Sequence, residues 1–177
     1  MKLPGFYQFS LPEDNITFLN AKLDLYKEIP AFWDDGENLR TINGKQTKNL
    51  LASTDKDLHQ FLLNFSETFG NLAECKFDLS WAHMIEYDSG GWQAVHTHEH
   101  QEDFSVIIYL NDCEDGNTIF ILNQDRDVRV THKPIKGQGT IFLSNIAHYA
   151  ENCTSNKRVF VCGLTLHGAW HPRHSIL

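Results

Sequence analysis

The segment Tyr87-Asp-Ser-Gly-Gly-Trp-Gln-Ala-Val-His96-Thr-His98-Glu-His100 places three histidines at alternate positions, after a Gly-Gly turn and before an apolar run. If it is extended, residues two apart project to the same face of a sheet. His96 and His98 then present two imidazoles to one point, as a transition metal requires. A third ligand must come from elsewhere, and His148 has a suitable setting. Pro134-Ile-Lys-Gly-Gln-Gly-Thr-Ile-Phe-Leu-Ser144 reads as a turn, a short apolar strand and a second turn, which lands His148 at the start of the next strand. Ten residues on, Arg158 opens Arg-Val-Phe-Val-Cys-Gly-Leu-Thr-Leu and shares one strand face with Phe160 and Cys162. A guanidinium aimed into a cavity requires an anion, and a carboxylate meets its fork bidentately. The residues therefore predict a metal site beside an anion pocket. The alternatives are that Arg158 is exposed at a strand start, or that Lys157 is the inward residue.

The bland readings stand beside these. His59, His83, His132 and the tail histidines His167, His171 and His174 read as surface or internally satisfied residues. The run at 96, 98 and 100 could itself be a solvent-facing patch that binds metal loosely.

The elements that must position these groups are legible from periodicity. Residues 1–75 read as mainly helical. Ile16, Leu19, Leu23 and Tyr26 recur at helical spacing, with Pro30 closing the segment. Asn43-Gly44 reads as a hairpin turn. Thr54-Asp-Lys-Asp57 has the form of a capping box ahead of an apolar face of Leu58, Phe61, Leu62, Phe65 and Phe69, and Gly70 is placed to end that helix. From about residue 76 the pattern changes to eight short strands, near 77–87, 93–98, 104–111, 117–123, 127–133, 138–143, 147–152 and 157–166. Asp88-Ser-Gly-Gly, Asn111-Asp-Cys-Glu-Asp-Gly116 and Lys136-Gly-Gln-Gly139 mark connections between them. Helices followed by short strands predict an α+β, mostly β fold: a double-stranded β-helix with N-terminal flanking helices. The expected organisation is one domain over 1–177, with helical support to residue 75, a barrel core over 76–168 and a tail from 169.

Composition narrows the partners. The chain of 177 residues is 41% apolar and 21% charged, with a net charge of −8. It has no basic stripe with interleaved aromatics, so nucleic acid is not an expected partner. No apolar run is long enough to span a membrane, and the start lacks a signal-peptide core. The four cysteines show no Cys-x-x-Cys pairing and read as free thiols, which points to a reducing cytoplasm. There is no Gly-rich phosphate loop of the Walker or dinucleotide type, and no recognisable partner frame for a Ser, Cys or Lys nucleophile.

Taken in order, His-x-[acid or His], an apolar strand ending Tyr-Leu-Asn, Gly-x-Gly-Thr-Ile-Phe-x-Ser, His and then Arg resemble the iron(II)/2-oxoglutarate-dependent oxygenases. The resemblance is to the prolyl-hydroxylase-like branch and its small bacterial or phage relatives, and it covers about residues 77–168. It implies Fe(II) as cofactor and 2-oxoglutarate as cosubstrate. His96 and His148 match the two iron-binding histidines. Arg158 matches the basic residue that pairs with the distal carboxylate of 2-oxoglutarate, Tyr109 a tyrosine that hydrogen-bonds the same carboxylate, and Tyr87 a tyrosine bordering the cosubstrate pocket. The implied activity is hydroxylation of a small-molecule or peptidyl substrate, prolyl included, using O2 and releasing succinate and CO2.

One position departs from that pattern. The family usually has Asp or Glu two residues after the first histidine, where this chain has His98. Either His98 is the third ligand, or Glu99, Glu102 or Asp103 supplies a carboxylate, or the frame shifts to His100-Gln-Glu102. Gly90, His96, His98, Glu102 and His148-Tyr-Ala-Glu-Asn152 also approximate cupin motifs. Some cupins are three-histidine dioxygenases that need no 2-oxoglutarate, although Tyr109 stands where their glycine is expected. A non-catalytic metal-binding barrel is the remaining alternative. Trp33, Asp34, Asp35, Trp92 and Trp170 are substrate-pocket candidates by position only.

Overall fold

The computed structural model describes residues 5–33, 41–99 and 101–168. Asp34, Asp35, His100, Trp170, His171 and His174 lie outside the described residues. Nine strands and two helices appear among them: β1 (Phe6–Ser10), α1 (Glu13–Lys27), β2 (Thr41–Gln46), α2 (Lys56–Ala73), β3 (Phe77–His96), β4 (Phe104–Tyr109), β5 (Thr118–Asn123), β6 (Val128–His132), β7 (Gln138–Leu143), β8 (Ala147–Ala150) and β9 (Lys157–Leu166).

The strands form one antiparallel sheet in the order β1-β7-β4-β9-β3-β8-β5-β6, with β2 on β3. What curls the sheet is β3. Its first half, residues 77–87, pairs with β9, and its far end pairs with β8 through Gln93 and His96. The Asp88-Ser-Gly-Gly stretch, expected as a connection between two strands, is instead the bend within this single long one. Gly90 holds φ at +84°, a backbone region that side-chain-bearing residues rarely enter. The result is the expected double-stranded β-helix, mostly β, with flanking helices.

Two apolar layers follow from strand alternation. Outside the curl, α1 and α2 cover Ala82, Met84, Val106, Ile108, Phe160, Cys162 and Leu164 with Ile16, Leu19, Leu23, Leu58, Leu62, Phe65 and Phe69. Inside it lie Ile85, Tyr87, Ile107, Tyr109, Phe120, Phe142 and Val159. This is why Phe104-Ser-Val-Ile-Ile-Tyr is apolar on both faces: one side meets helices and the other lines the interior.

The first 75 residues are less uniformly helical than their sequence suggests, because β1 and β2 join the sheet edges. Asn43, at φ 46°, and Gly44 form a bulge in β2 against β3, not a hairpin turn. Asp55 caps α2, one residue after the expected Thr54, and its carboxylate accepts from the amides of Asp57 and Leu58. The same helix runs past Gly70 to Ala73 and ends where Glu74 takes a left-handed turn at φ 58°.

Candidate metal centre and anion recess

His96 closes β3 and stands directly across from His148 on β8, so the Cα register alone faces the two side chains toward each other. Their ring centroids are 4.2 Å apart. His98 lies beyond the end of β3. Its main-chain N–H donates to the Ser144 carbonyl at 2.9 Å, which ties the loop to the turn before β8 and brings the third ring in. That ring is 5.0 Å from His96 and 5.3 Å from His148. One ligand atom from each histidine falls within 4.8 Å of the others.

Hydrogen bonding fixes which nitrogens converge. His96 Nδ1 is 2.8 Å from the Ala94 carbonyl, and His148 Nδ1 is 3.1 Å from the Ile146 carbonyl. A carbonyl only accepts, so each Nδ1 carries the proton, which makes Nε2 the basic nitrogen of each ring. His98 Nδ1 faces Glu102 Oε1 at 3.5 Å. Three imidazoles that each offer one ring nitrogen suit a divalent iron-type ion and leave coordination positions for other ligands. The donor set fits the cofactor that the sequence implied. Of the carboxylates considered as ligands, Glu99 is exposed, Asp103 accepts from the Leu166 amide, and Glu102 lies behind His98.

The triad opens into a cavity of about 630 Å³ inside the curl. Ile85, Ile107, Phe142 and Val161 form its apolar wall, and Gln46, Trp81, His83, Thr97 and Gln101 its mouth. His83 was read as a background residue from sequence; strand alternation from Ile85 could have placed it here. A narrow recess adjoins it, sharing His148, Ile85 and Ile107 as lining and bordered by Thr118, Tyr87, Val159 and Lys157.

The recess corrects the basic residue. Arg158 does share a face with Phe160 and Cys162, but that face meets the helices. Its guanidinium pairs with Glu86 at 3.0 Å and Asp24 at 2.9 Å. The inward residue is Lys157, only 1% exposed. Its Nζ donates to the Gly116 carbonyl at 2.7 Å and lies 4.4 Å from the centroid of the Tyr87 ring. Burial pushes the Lys157 ammonium below its ordinary pKa, so an anion in the recess would restore a charge that desolvation penalises. Glu86 behaves oppositely: burial disfavours its charge, but Lys27, Arg158 and Asn156 outweigh this and hold its carboxyl below the usual range.

The two tyrosines differ. Tyr87 borders the recess beneath Lys157. Tyr109 is behind it, with its hydroxyl donating to Thr118 Oγ1 at 2.7 Å and approaching the His132 carbonyl at 3.1 Å. Thr118, not Tyr109, reaches the recess.

No protein-family model and no curated protein matches the chain. Solved structures do. A prolyl-4-hydroxylase from Pseudomonas putida aligns over 93% of this chain and 94% of its own, with 16% identity and a TM-score of 0.73. The viral collagen prolyl hydroxylase of Paramecium Bursaria Chlorella virus-1, in complex with 2-oxoglutarate, aligns over 91% and 96% with 14% identity and a TM-score of 0.65. HygX from Streptomyces hygroscopicus, with nickel, 2-oxoglutarate and hygromycin B bound, aligns over 94% and 85% with 8% identity and a TM-score of 0.68. The chain thus has the double-stranded β-helix fold found in iron(II)/2-oxoglutarate oxygenases, with three histidines at one end of its interior and a buried lysine at the other.

Proposed function

We propose that this protein is an Fe(II)- and 2-oxoglutarate-dependent oxygenase, and that it hydroxylates a small-molecule or peptidyl substrate. The observation that carries this reading is the adjacency of two spaces: the cavity of the three histidines and the recess of the buried Lys157 share His148 as lining. A dicarboxylate with a metal-chelating end and a charged far end matches both ends. Fe(II) with 2-oxoglutarate and O2 supplies oxidative decarboxylation to succinate and CO2 coupled to oxidation of a substrate C–H bond.

The chain's own residues supply placement and exclusion. His96, His98 and His148 hold the ion. Lys157 attracts the far carboxylate, Thr118 offers it a hydroxyl, and the Tyr87 ring orients the ammonium. The apolar wall keeps water from the reacting centre. Substrate approaches through the mouth at Trp81, His83, Gln46 and Gln101. Neighbours of the same fold were solved with a peptide fragment of hypoxia inducible factor and with hygromycin B, which supports either substrate class.

A second reading, a three-histidine dioxygenase that needs no 2-oxoglutarate, is favoured by one observation: an imidazole occupies the third ligand position. Succinate release separates the two. The first reading predicts 2-oxoglutarate turnover that requires Fe(II) and is lost in His148→Ala. Oxygen consumption indifferent to 2-oxoglutarate would establish the second.

A further inference from the structure

Glu102 is 1% exposed, in the loop between β3 and β4, and it closes a ring of three contacts around His98. Its Oε1 is 3.5 Å from His98 Nδ1 and accepts from Ser105 Oγ at 2.8 Å. Its Oε2 accepts from Trp81 Nε1 at 2.9 Å. The Trp81 ring in turn stacks on His98, with centroids 5.1 Å apart. The strand behind leaves room for this group only because residue 163 is glycine. A Cβ there would fall 2.5 Å from Trp81 Nε1 and 3.0 Å from Glu102 Cδ.

His96 and His148 are oriented by main-chain carbonyls, and His98 faces a carboxylate. A carboxylate behind a metal-bound imidazole fixes its tautomer, raises the basicity of the ligating nitrogen and strengthens metal binding. We propose that Glu102 is the positioning carboxylate of this metal centre. It holds His98 with Nε2 toward the ion and supplies the negative charge that a directly bound Asp or Glu would otherwise bring. The carboxylate is thus displaced by one imidazole, not lost, and the ion keeps as many exchangeable positions as a directly bound carboxylate would leave. The inference rests on the three-histidine site proposed above.

The experiment is anaerobic titration of the full-length protein with Co(II), followed by visible absorption and by proton NMR of the hyperfine-shifted histidine N–H signals. The unaltered protein should bind one Co(II) and show three exchangeable Nδ1–H signals. Glu102→Gln should raise the Co(II) Kd by about 10- to 100-fold. It should also shift the His98 signal while leaving those of His96 and His148 in place. Trp81→Phe, which keeps a ring on His98 but drops the hydrogen bond to Glu102, should change the Kd less than Glu102→Gln does, because the carboxylate charge stays beside His98. Equal weakening by the two variants would assign the effect to packing and overturn the inference. So would a Glu102→Gln Kd matching the unaltered protein, with the metal-site reading left standing. Failure of the unaltered protein to bind Co(II) would remove both. If Glu102→Gln does not fold, the unaltered protein decides: the His98 Nδ1–H must be the slowest of the three to exchange, and a fast-exchanging signal contradicts the inference.

Discussion

Lys157 Nζ lies 4.4 Å from the centroid of the Tyr87 ring, inside the barrel, across the register that pairs Lys157 with Tyr87 on neighbouring strands. The next residue, Arg158, points the other way and ties β9 to α1 through Asp24 and to β3 through Glu86. Adjacent cations on one strand therefore face opposite ways, one toward the recess and one toward the helix layer.

That division makes a paired prediction. Lys157→Ala should raise the KM for 2-oxoglutarate by tenfold or more while leaving metal affinity unchanged. Arg158→Ala should leave that KM within about twofold and lower stability by about 1–3 kcal/mol, because Glu86 loses a charged partner in a largely buried setting. Steady-state kinetics with urea unfolding of both variants checks this. The reverse assignment would return the cosubstrate role to Arg158.

The alternation that decides between these two residues was visible in the sequence, but its phase was not. Arg158, Phe160 and Cys162 were correctly grouped on one face. Nothing local says whether that face meets a cavity or a helix, because Phe160 and Cys162 suit both. The phase is set by α1 and α2 covering β9, a tertiary choice. Similarly, His96 and His98 were grouped by their alternate spacing, and His148 by its place at a strand start. His98 arrives through a loop held by the Ser144 carbonyl, and no periodicity predicts that contact. β1 and β2 escaped notice because edge strands bury little and carry a weak apolar pattern.

Asp55 offers a test of the helix layer by pH. Burial opposes its charge, but Lys22, the Leu58 amide and the Tyr26 hydroxyl together hold its pKa down at about 2. A carboxylate whose folded pKa is depressed stabilises the fold above its unfolded value, about 4, and loses that contribution as pH falls through the folded one. Asp55→Asn should therefore be less stable than the unaltered protein at pH 6, and the gap should shrink as pH falls from about 4 toward 2. Urea midpoints across that range would show it. A gap that stays constant with pH would mean that Asp55 acts through its cap geometry alone.

Tyr109 and Thr118 give a third test. Tyr109→Phe removes the donor behind Thr118 without touching the recess. It should weaken 2-oxoglutarate binding only a few-fold and cost about 1–3 kcal/mol of stability, the worth of its two buried neutral hydrogen bonds. Thr118→Val, which deletes the hydroxyl that reaches the recess, should raise the 2-oxoglutarate KM more than Tyr109→Phe does. If Tyr109→Phe proves the more severe for KM, the phenol contacts the cosubstrate directly.

The central claim is that the three histidines and Lys157 form one site for Fe(II) and 2-oxoglutarate. Anaerobic titration with Fe(II) and then 2-oxoglutarate tests it most directly, through the visible metal-to-ligand charge-transfer band. The account predicts a band that grows with 2-oxoglutarate, is absent in His148→Ala, needs a much higher 2-oxoglutarate concentration in Lys157→Ala, and is unchanged in Arg158→Ala. Tight Fe(II) binding by the unaltered protein with no such band at any 2-oxoglutarate concentration would contradict it.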